Sequence, residues 1–251
     1  MTPTAATTNP LAAISGALDQ LTVHDVSPTL GPELPMWFMY PAPQIKPLFR
    51  HEEGGVAGNL LTIAEHTGTH VDAPFHFDPA GATVDRIAVD RMLLRPFKKF
   101  DLSGGDHQPG DLVSLQDLRA AEAAAGFELA AGDVAILELG WDRYLPDGPD
   151  AEAPEWWGRN QPGLAEDACE FLADAGVAAV ACDTAGCDVA VVDGEFRAAH
   201  GHTHFFLPRG ILIVEGLKGL ARVPATGLFL ALPLKIEGGT GSPVRVVLLT
   251  E

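Results

Sequence analysis

The chain has 251 residues, 47% of them hydrophobic and 20% charged, and its formal net charge at pH 7 is −18. This length and composition predict one globular domain with a sizeable core. The acidity argues against nucleic acid as a partner, because lysine and arginine are needed to displace counterions from phosphate. It also disfavours an anionic membrane surface, and we interpret it as a source of solubility.

The N-terminal ten residues lack the basic start and apolar core of a signal peptide. No apolar run spans a bilayer without glycine, proline or charge, so a cytoplasmic location is predicted. The three cysteines, Cys169, Cys182 and Cys187, match neither a CxxC pair nor a zinc-finger spacing. This favours buried structural thiols.

The first fifth of the chain is predicted to contain little regular structure. Residues 1–12 are expected to form a flexible arm, and residues 13–251 to form one domain. The end of a helix and then a strand are predicted over residues 18–26. Six prolines between residues 28 and 47 argue against regular structure there. Long loops often cover a site, and this one carries the aromatic residues Trp37, Phe38 and Tyr40. A loop anchored to the core by these aromatics is the alternative.

Strands outnumber helices in the rest of the chain. Strands are predicted over 60–65, 97–102, 133–139, 177–181, 211–215, 228–234 and 244–249. Helices are predicted over 87–94, 164–175 and from the N-cap Ser114 to 125, with a helical turn at 204–207 and loops over 142–160 and 194–203. Few helices cross between strands, so the predicted fold class is α/β, with a mixed sheet and outer helices.

The segment His66-Thr-Gly-Thr-His70-Val-Asp72-Ala-Pro-Phe-His76 contains three imidazoles and a carboxylate within eleven residues. These groups suit zinc, manganese and iron. On a strand, His70 and Asp72 point to the same side, and Gly68 allows the tight turn that brings His66 towards them. The segment can therefore supply three metal ligands and leave one imidazole for proton transfer.

A second group of candidate ligands lies downstream. His200, His202 and His204 share one predicted loop, and Glu215 ends an apolar strand. A carboxylate buried there without a partner is costly, and coordination to a cation would remove that cost. The sequence therefore predicts that the two groups meet at one metal site.

The first motif resembles the signature of the metal-dependent cyclase family, which includes bacterial kynurenine formamidases and isatin hydrolases. The similarity covers most of residues 20–250 in the same order, through Gly132-Asp133-Val134, Gly140-Trp141, Ala181-Cys182-Asp183-Thr184 and the segment from Gly210 to Leu217. It implies a single-domain swivelling β/β/α fold, assembly as homodimers or homotetramers, and one or two divalent ions, Zn²⁺ or Mn²⁺.

The resemblance also implies ligand residues, namely His66, His70, Asp72 and Glu215. Asp72 would be able to bridge two ions. The family has a further ligand histidine twelve residues before the final carboxylate, and here Thr203 occupies that position. We expect His204 to take this role, with His202 as the alternative.

The implied function is a metal-dependent hydrolase that cleaves a C–N bond of a small amide or lactam, similar to an arylformamidase. A bound ion lowers the pKa of its water from about 15.7 towards 7 and polarises a carbonyl. His76 would act as general acid and base, and Trp37 would contact the substrate. The alternatives are an isatin hydrolase-like lactam hydrolase, a metal-dependent lyase or dehydratase, and a non-catalytic protein that binds metal or metabolite.

Overall fold

The computed structural model describes residues 9–251. Its helices are α1 (Pro10–Leu18), α2 (His51–Gly54), α3 (Leu115–Ala125), α4 (Pro154–Arg159) and α5 (Glu166–Asp174). Its strands are β1 (Thr22–Asp25), β2 (Gln44–Phe49), β3 (Gly58–Thr62), β4 (His70–Asp72), β5 (Arg95–Asp101), β6 (Leu112–Val113), β7 (Val134–Glu138), β8 (Gly163–Leu164), β9 (Ala179–Cys182), β10 (Val189–Val192), β11 (Glu195–Ala199), β12 (Leu212–Glu215), β13 (Thr226–Leu230), β14 (Gly241–Pro243) and β15 (Val247–Thr250).

A mixed sheet lies at the centre of the described chain, with nine strands in the order β1-β15-β13-β5-β7-β9-β12-β4-β14. The central strands β5, β7, β9 and β12 are parallel, and the strands on both flanks pair antiparallel. The predicted α/β class with a mixed sheet is confirmed. Because parallel strands end at the same edge, the carboxylates that end β7 and β12 lie along one edge of the sheet.

Strands β7, β9 and β12 are buried on both faces of the sheet, which explains why they are apolar apart from the carboxylates that end β7 and β12. Alternate residues of β7 pack on opposite faces: Leu137 joins the cluster with Leu118 and Leu172 of the helices α3 and α5, and Ile136 joins the cluster with Phe229. All three cysteines are buried and unpaired, as the sequence predicted. The helices thus lie outside the sheet and complete its core.

Helix α3 follows its sequence signals closely. The Ser114 hydroxyl and the Asp117 side chain form the reciprocal capping box, and Gly126 ends the helix with a left-handed φ of 70°. Helix α5 begins at Glu166, two residues later than predicted, because Leu164 belongs to β8 and pairs with β6. Local signals therefore set the ends of α3, whereas strand pairing shortens α5.

Two segments predicted as loops contain regular structure, so those predictions were wrong. The segment 194–203 includes β11, which pairs antiparallel with β10, and the start of a π-helical turn at Gly201–Phe205. The segment 142–160 includes most of a 3₁₀ turn at Trp141–Tyr144 and then α4. Tertiary pairing and packing stabilise these short elements, and tertiary context of this kind overrides local propensity.

Other boundaries differ by several residues. The helix predicted over 87–94 is replaced by 3₁₀ turns at Val84–Arg86 and Val89–Met92. The strand predicted over 60–65 ends at Thr62, and the strand predicted over 228–234 ends at Leu230. The proline-rich segment is mostly irregular, but β2 begins within it. Among the described strands, β2 pairs only with β3, in an exposed hairpin where proline is tolerated.

The predicted N-terminal arm lies mainly outside the described residues. Within residues 9–251, helix α1 begins at Pro10, capped by the Asn9 side chain. No helix of this described part combines the length and apolar character needed to cross a membrane.

Asp183 joins two strand ends at the carboxyl edge of the sheet. Its two carboxylate oxygens accept hydrogen bonds from the backbone N–H groups of Leu139 and Trp141, each at 2.9 Å. Burial, reinforced by the charge of Asp142 and opposed by the two N–H groups, raises the pKa of Asp183 to about 7. Asp183 therefore binds the backbone amides that follow β7.

The raised pKa gives the stability of the fold a defined pH dependence. An aspartate in an unfolded chain has a pKa of about 3.9, so between about pH 4 and pH 7 the folded protein binds a proton that the unfolded chain does not. The free energy of unfolding of the unmodified protein, relative to that of D183N, should therefore fall as pH rises through this range and level off above it. Urea unfolding of both proteins at about pH 5 and about pH 8 measures this difference.

The control is D117N, because Ser114 holds the pKa of the Asp117 carboxyl below its usual value and keeps it ionised over the same range. Its stability difference from the unmodified protein should not change between the two pH values. A constant difference for D183N as well would show that Asp183 is ionised throughout.

Candidate active site

The site is built on two adjacent strands, β4 and β12. These strands pair antiparallel with His70 opposite Glu215. Residues that lie opposite each other project from the same face of the sheet, and Asp72, two residues after His70, shares that face. On the other side of β4, Gly241 of β14 lies opposite Asp72. A Cβ atom at Gly241 would be 2.6 Å from Cε1 of His66, so glycine here lets the His66 ring approach the site.

The two carboxylates alternate with two imidazoles. His70 Nε2 lies 3.3 Å from Asp72 Oδ1 and 3.4 Å from Glu215 Oε2. His202 Nε2 lies 3.3 Å from Asp72 Oδ2 and 3.4 Å from Glu215 Oε1. Asp72 is only 1% exposed and Glu215 only 3%, so solvent screens neither charge.

The outer nitrogens of the same two rings have fixed partners. His70 Nδ1 donates to the carbonyl of Gly68 at 2.8 Å, and His202 Nδ1 donates to Oδ1 of Asp188 at 2.5 Å. Asp188 also accepts the backbone N–H of His202 at 3.0 Å. Second partners of this kind fix the orientation of metal-binding histidines, and here they aim both Nε2 atoms at the carboxylates.

The charges of the cluster perturb its titration. Burial alone would lower the pKa of His70, but Asp72 and Glu215 outweigh it and raise that pKa to about 10. Burial is likewise outweighed at His202, where Asp188, Asp72 and Glu215 raise the pKa. Burial would raise the pKa of Asp72, but hydrogen bonds from His202, His66 and His70 outweigh it and hold that pKa well below its usual range. The two buried carboxylates therefore require positive charge next to them.

The donor set fits a divalent ion. Imidazole nitrogen and carboxylate oxygen are ligands of Zn²⁺, and His70, Asp72 and Glu215 have ligand atoms within 4.8 Å of one another. A second group, His66, Asp72 and His76, also has ligand atoms within 4.8 Å of one another. Asp72 belongs to both groups, so the geometry is compatible with one ion or with two sharing this carboxylate.

His66 completes the cluster from the turn before β4. Its Nδ1 is 2.6 Å from Asp72 Oδ1, and its ring stacks against those of His76 at 3.9 Å and Tyr40 at 5.5 Å between centroids. The structure thus brings together five of the sequence-predicted residues: His66, His70, Asp72, His76 and Glu215.

The preference for His204 over His202 is not supported by the structure. The side chain of His204 is exposed, and its Nδ1 lies 2.6 Å from the hydroxyl of Thr203. His202 is buried in the cluster, because the π-helical turn and the bonds to Asp188 direct its ring inward. His200 also lies outside the cluster, close to His204.

An open cavity of about 290 Å³ leads to the cluster. Its wall is largely apolar and aromatic, formed by Trp37, Met39, Tyr40, Phe77, Val189 and Phe196. Trp37 packs edge-on against Phe196, so the proline-rich segment does contribute to the wall. Pockets of this kind, apolar with a few convergent polar groups, are typical of small-molecule sites.

His76 lies between the cluster and the cavity. It is partly exposed, and burial is the main cause that lowers its pKa to about 4. The imidazole of His76 is therefore neutral near pH 7 and can accept a proton from a group in the cavity.

The sequence did not reveal several residues that orient the cluster. Asp188 binds His202, a contact that the sequence did not predict. Tyr40 was noted as a loop aromatic, but not as the ring that stacks on His66. Thr240 contacts the same histidine and is itself held by Glu65, and no motif marks Thr240, which lies 174 residues from His66.

Comparisons with known proteins show the family of the chain. The model of the Cyclase family, described as "Putative cyclase", matches residues 24–189. An isatin hydrolase from Roseibium aggregatum is 29% identical over 92% of each chain, and a kynurenine formamidase from Paracidovorax citrulli is 33% identical over 76% of this chain and 79% of its own.

Solved structures extend the similarity over the whole fold. Isatin hydrolase A from Ralstonia solanacearum has a TM-score of 0.84 and 27% identity, covering 99% of this chain and all of its own. A structure described as a potential metal-dependent hydrolase with cyclase activity has a TM-score of 0.68 and 26% identity, covering 92% of this chain and 98% of its own.

The fold and the acidic, histidine-rich cluster define a hydrolase of the metal-dependent type. The chain belongs to the Cyclase family, which confirms the resemblance inferred from the motif around His66.

Proposed function

We propose that the protein is a metal-dependent hydrolase that cleaves a C–N bond, other than a peptide bond, in a small aromatic amide, as a kynurenine formamidase does. The observation that supports this most strongly is the pair of buried carboxylates, Asp72 and Glu215, facing two oriented imidazoles beside an aromatic cavity. Hydrolysis of a lactam such as isatin is the second candidate, favoured by the isatin hydrolases that match nearly the whole chain.

In this proposal His66, His70, Asp72, His202 and Glu215 would hold the divalent ion, Zn²⁺ or Mn²⁺. When bound, it would polarise the substrate carbonyl and lower the pKa of water. Asp72 and Glu215 supply the negative charge that selects a cation, while Gly68 and Asp188 keep the rings of His70 and His202 turned towards it.

His76 is the proposed general base and acid. Its neutral imidazole takes a proton from the water that attacks the carbonyl carbon, and it then donates that proton to the leaving nitrogen. Trp37 and Phe196 would hold the aromatic part of the substrate and exclude bulk water from the reacting bond. Each of these roles is assigned to a side chain that lines the same cavity.

Removal of metal tests the proposal directly. The purified protein should hydrolyse formanilides, N-formylkynurenine or isatin, lose this activity after dialysis against a chelator, and regain it with Zn²⁺ or Mn²⁺. Mass spectrometry of the product should show the addition of one water. A product formed without gain of water would indicate a lyase or dehydratase, and full activity in rigorously metal-free protein would contradict the proposal.

The choice between His202 and His204 gives a matched pair of variants. H202A removes a buried ring that faces both carboxylates, so it should lower metal affinity by about 10-fold or more. H204A removes an exposed ring from the same turn and should leave the affinity unchanged. Titration with a chromophoric chelator measures both values, and a loss of affinity in H204A alone would restore the original preference.

The role of His76 separates catalysis from metal binding. H76A should reduce kcat by about 100-fold or more, because it removes the proton carrier, while the metal content measured by elemental analysis stays intact. H51A, on an exposed helix, is the control and should match the unmodified protein. If H76A instead loses metal, His76 is a ligand; if its turnover is normal, it has no role as acid or base.

Self-association as a homodimer or homotetramer and a cytoplasmic location stay predictions. The exposed hairpin of β2 and β3 carries apolar side chains, including Leu48, Phe49, Leu60 and Leu61, at about half of their full exposure.

A further inference from the structure

A chain of hydrogen bonds leads away from the outer side of His66. Its Nε2 lies 2.9 Å from the hydroxyl oxygen of Thr240, and that hydroxyl donates to Oε2 of Glu65 at 2.6 Å. The same carboxylate oxygen accepts the backbone N–H of Thr240 at 3.0 Å. Glu65 therefore holds Thr240 through two hydrogen bonds, and Thr240 in turn contacts His66, the residue that follows Glu65 in the sequence.

The directions of these bonds determine where the proton of His66 lies. A threonine hydroxyl has one proton to donate, and here the Glu65 carboxylate accepts it. The oxygen of Thr240 must then accept from the ring, so Nε2 of His66 carries the N–H. Nδ1 lies 2.6 Å from Oδ1 of Asp72. An imidazole that binds a metal is neutral and uses the lone pair of its unprotonated nitrogen, so with an ion bound that lone pair would belong to Nδ1.

The backbone around Thr240 fixes this arrangement in space. The carbonyl of Thr240 accepts the N–H of Ala73 at 2.9 Å, directly after β4. The next residue, Gly241, pairs with Asp72 and leaves room for the His66 ring. The hydroxyl of Thr240 is thus held at a constant position relative to the carboxylate that His66 faces.

The three imidazoles nearest the carboxylates share one pattern. The outer nitrogens of His70 and His202 donate to Gly68 and Asp188, and Thr240 gives His66 the equivalent acceptor. We propose that Thr240 and Glu65 are positioning residues that hold His66 as the Nε2–H tautomer, with Nδ1 ready to bind the metal. This inference rests on the proposed metal site and assigns to it two residues that do not touch the ion.

Metal affinity tests the inference with variants of graded effect. T240V keeps the shape but removes the acceptor, and it should weaken Zn²⁺ binding about 10- to 100-fold. T240S keeps the hydroxyl and should restore affinity to near that of the unmodified protein. E65Q replaces a charged acceptor with a neutral one and should weaken binding about five-fold.

The chain offers a matched control in T250V. The hydroxyl of Thr250 contacts Nε2 of His24 at 2.9 Å on strands β15 and β1, outside the cluster. T250V also removes a threonine hydroxyl from a histidine ring, so it should leave Zn²⁺ affinity unchanged. Competition with a chromophoric chelator measures all five proteins on one scale.

A spectroscopic measurement separates positioning from a general loss of structure. Long-range ¹H–¹⁵N NMR of the Zn²⁺-loaded protein reports which ring nitrogen carries a proton, and the unmodified protein should show His66 protonated at Nε2. In T240V this proton should exchange faster with solvent, while the Nδ1 protons of His70 and His202 stay protected.

The outcomes distinguish the two proposals. If the unmodified protein binds no Zn²⁺, the proposed metal site fails and this inference fails with it. If that protein binds Zn²⁺ and T240V binds it equally well, or if His66 is protonated at Nδ1, the positioning role is wrong and the metal site stands. If T240V does not fold, E65Q carries the test, and an affinity equal to that of the unmodified protein would overturn the inference.

Discussion

Asp72 and Glu215 place two negative charges side by side where water scarcely reaches them. Charges buried in this way are stable only when they are paired or bound to a cation. The surrounding structure meets that requirement with imidazoles rather than with lysine or arginine, and imidazoles, unlike those side chains, can bind a metal. The negative charge of the buried carboxylates therefore explains why the pKa values of His70 and His202 are raised. It also explains why the site suits a divalent ion.

The sheet supplies the rigidity that this arrangement needs. Glu215 ends a central parallel strand, and His70 and Asp72 lie on the antiparallel strand next to it, so backbone hydrogen bonds fix their spacing. The parallel strands β7, β9 and β12 are buried and apolar up to their last residues, so their polar groups lie at the edge where the strands end. Asp183 orders the same edge by binding the backbone beyond β7. Groups held by strands are positioned more accurately than groups held by loops. His202 lies on a π-helical turn instead of a strand, so its ring depends on the hydrogen bonds to Asp188 for its position.

The sequence predicted what short-range spacing determines. His70 and Asp72 share a face because they are two residues apart on a strand, and α3 begins and ends where its capping residues indicate. It did not distinguish His202 from His204, because a π-helical turn directs the rings by its own geometry and Asp188 selects between them. The pairing of β10 with β11 was missed for a similar reason, since a polar strand pattern resembles a loop. Thr240 meets His66 only through the register of β14 on β4, which no local signal contains.

The cavity wall and the cluster of histidines and carboxylates would have different roles: the cluster would carry the reaction, and the wall would select the substrate. Hydrolysis of a formyl amide and opening of a lactam both need a polarised carbonyl and a proton for the leaving nitrogen, so one set of histidines and carboxylates would serve either reaction. Discrimination between the two must come from the wall of the cavity, where Trp37 and Met39 lie on the proline-rich segment and Phe196 lies on β11. These residues belong to segments outside the nine-stranded sheet, and they can change without disturbing the strands that hold the cluster. A volume of about 290 Å³ lies near the lower end for ligand pockets, so even a single substitution in this wall would change a large share of the space that a small molecule can occupy.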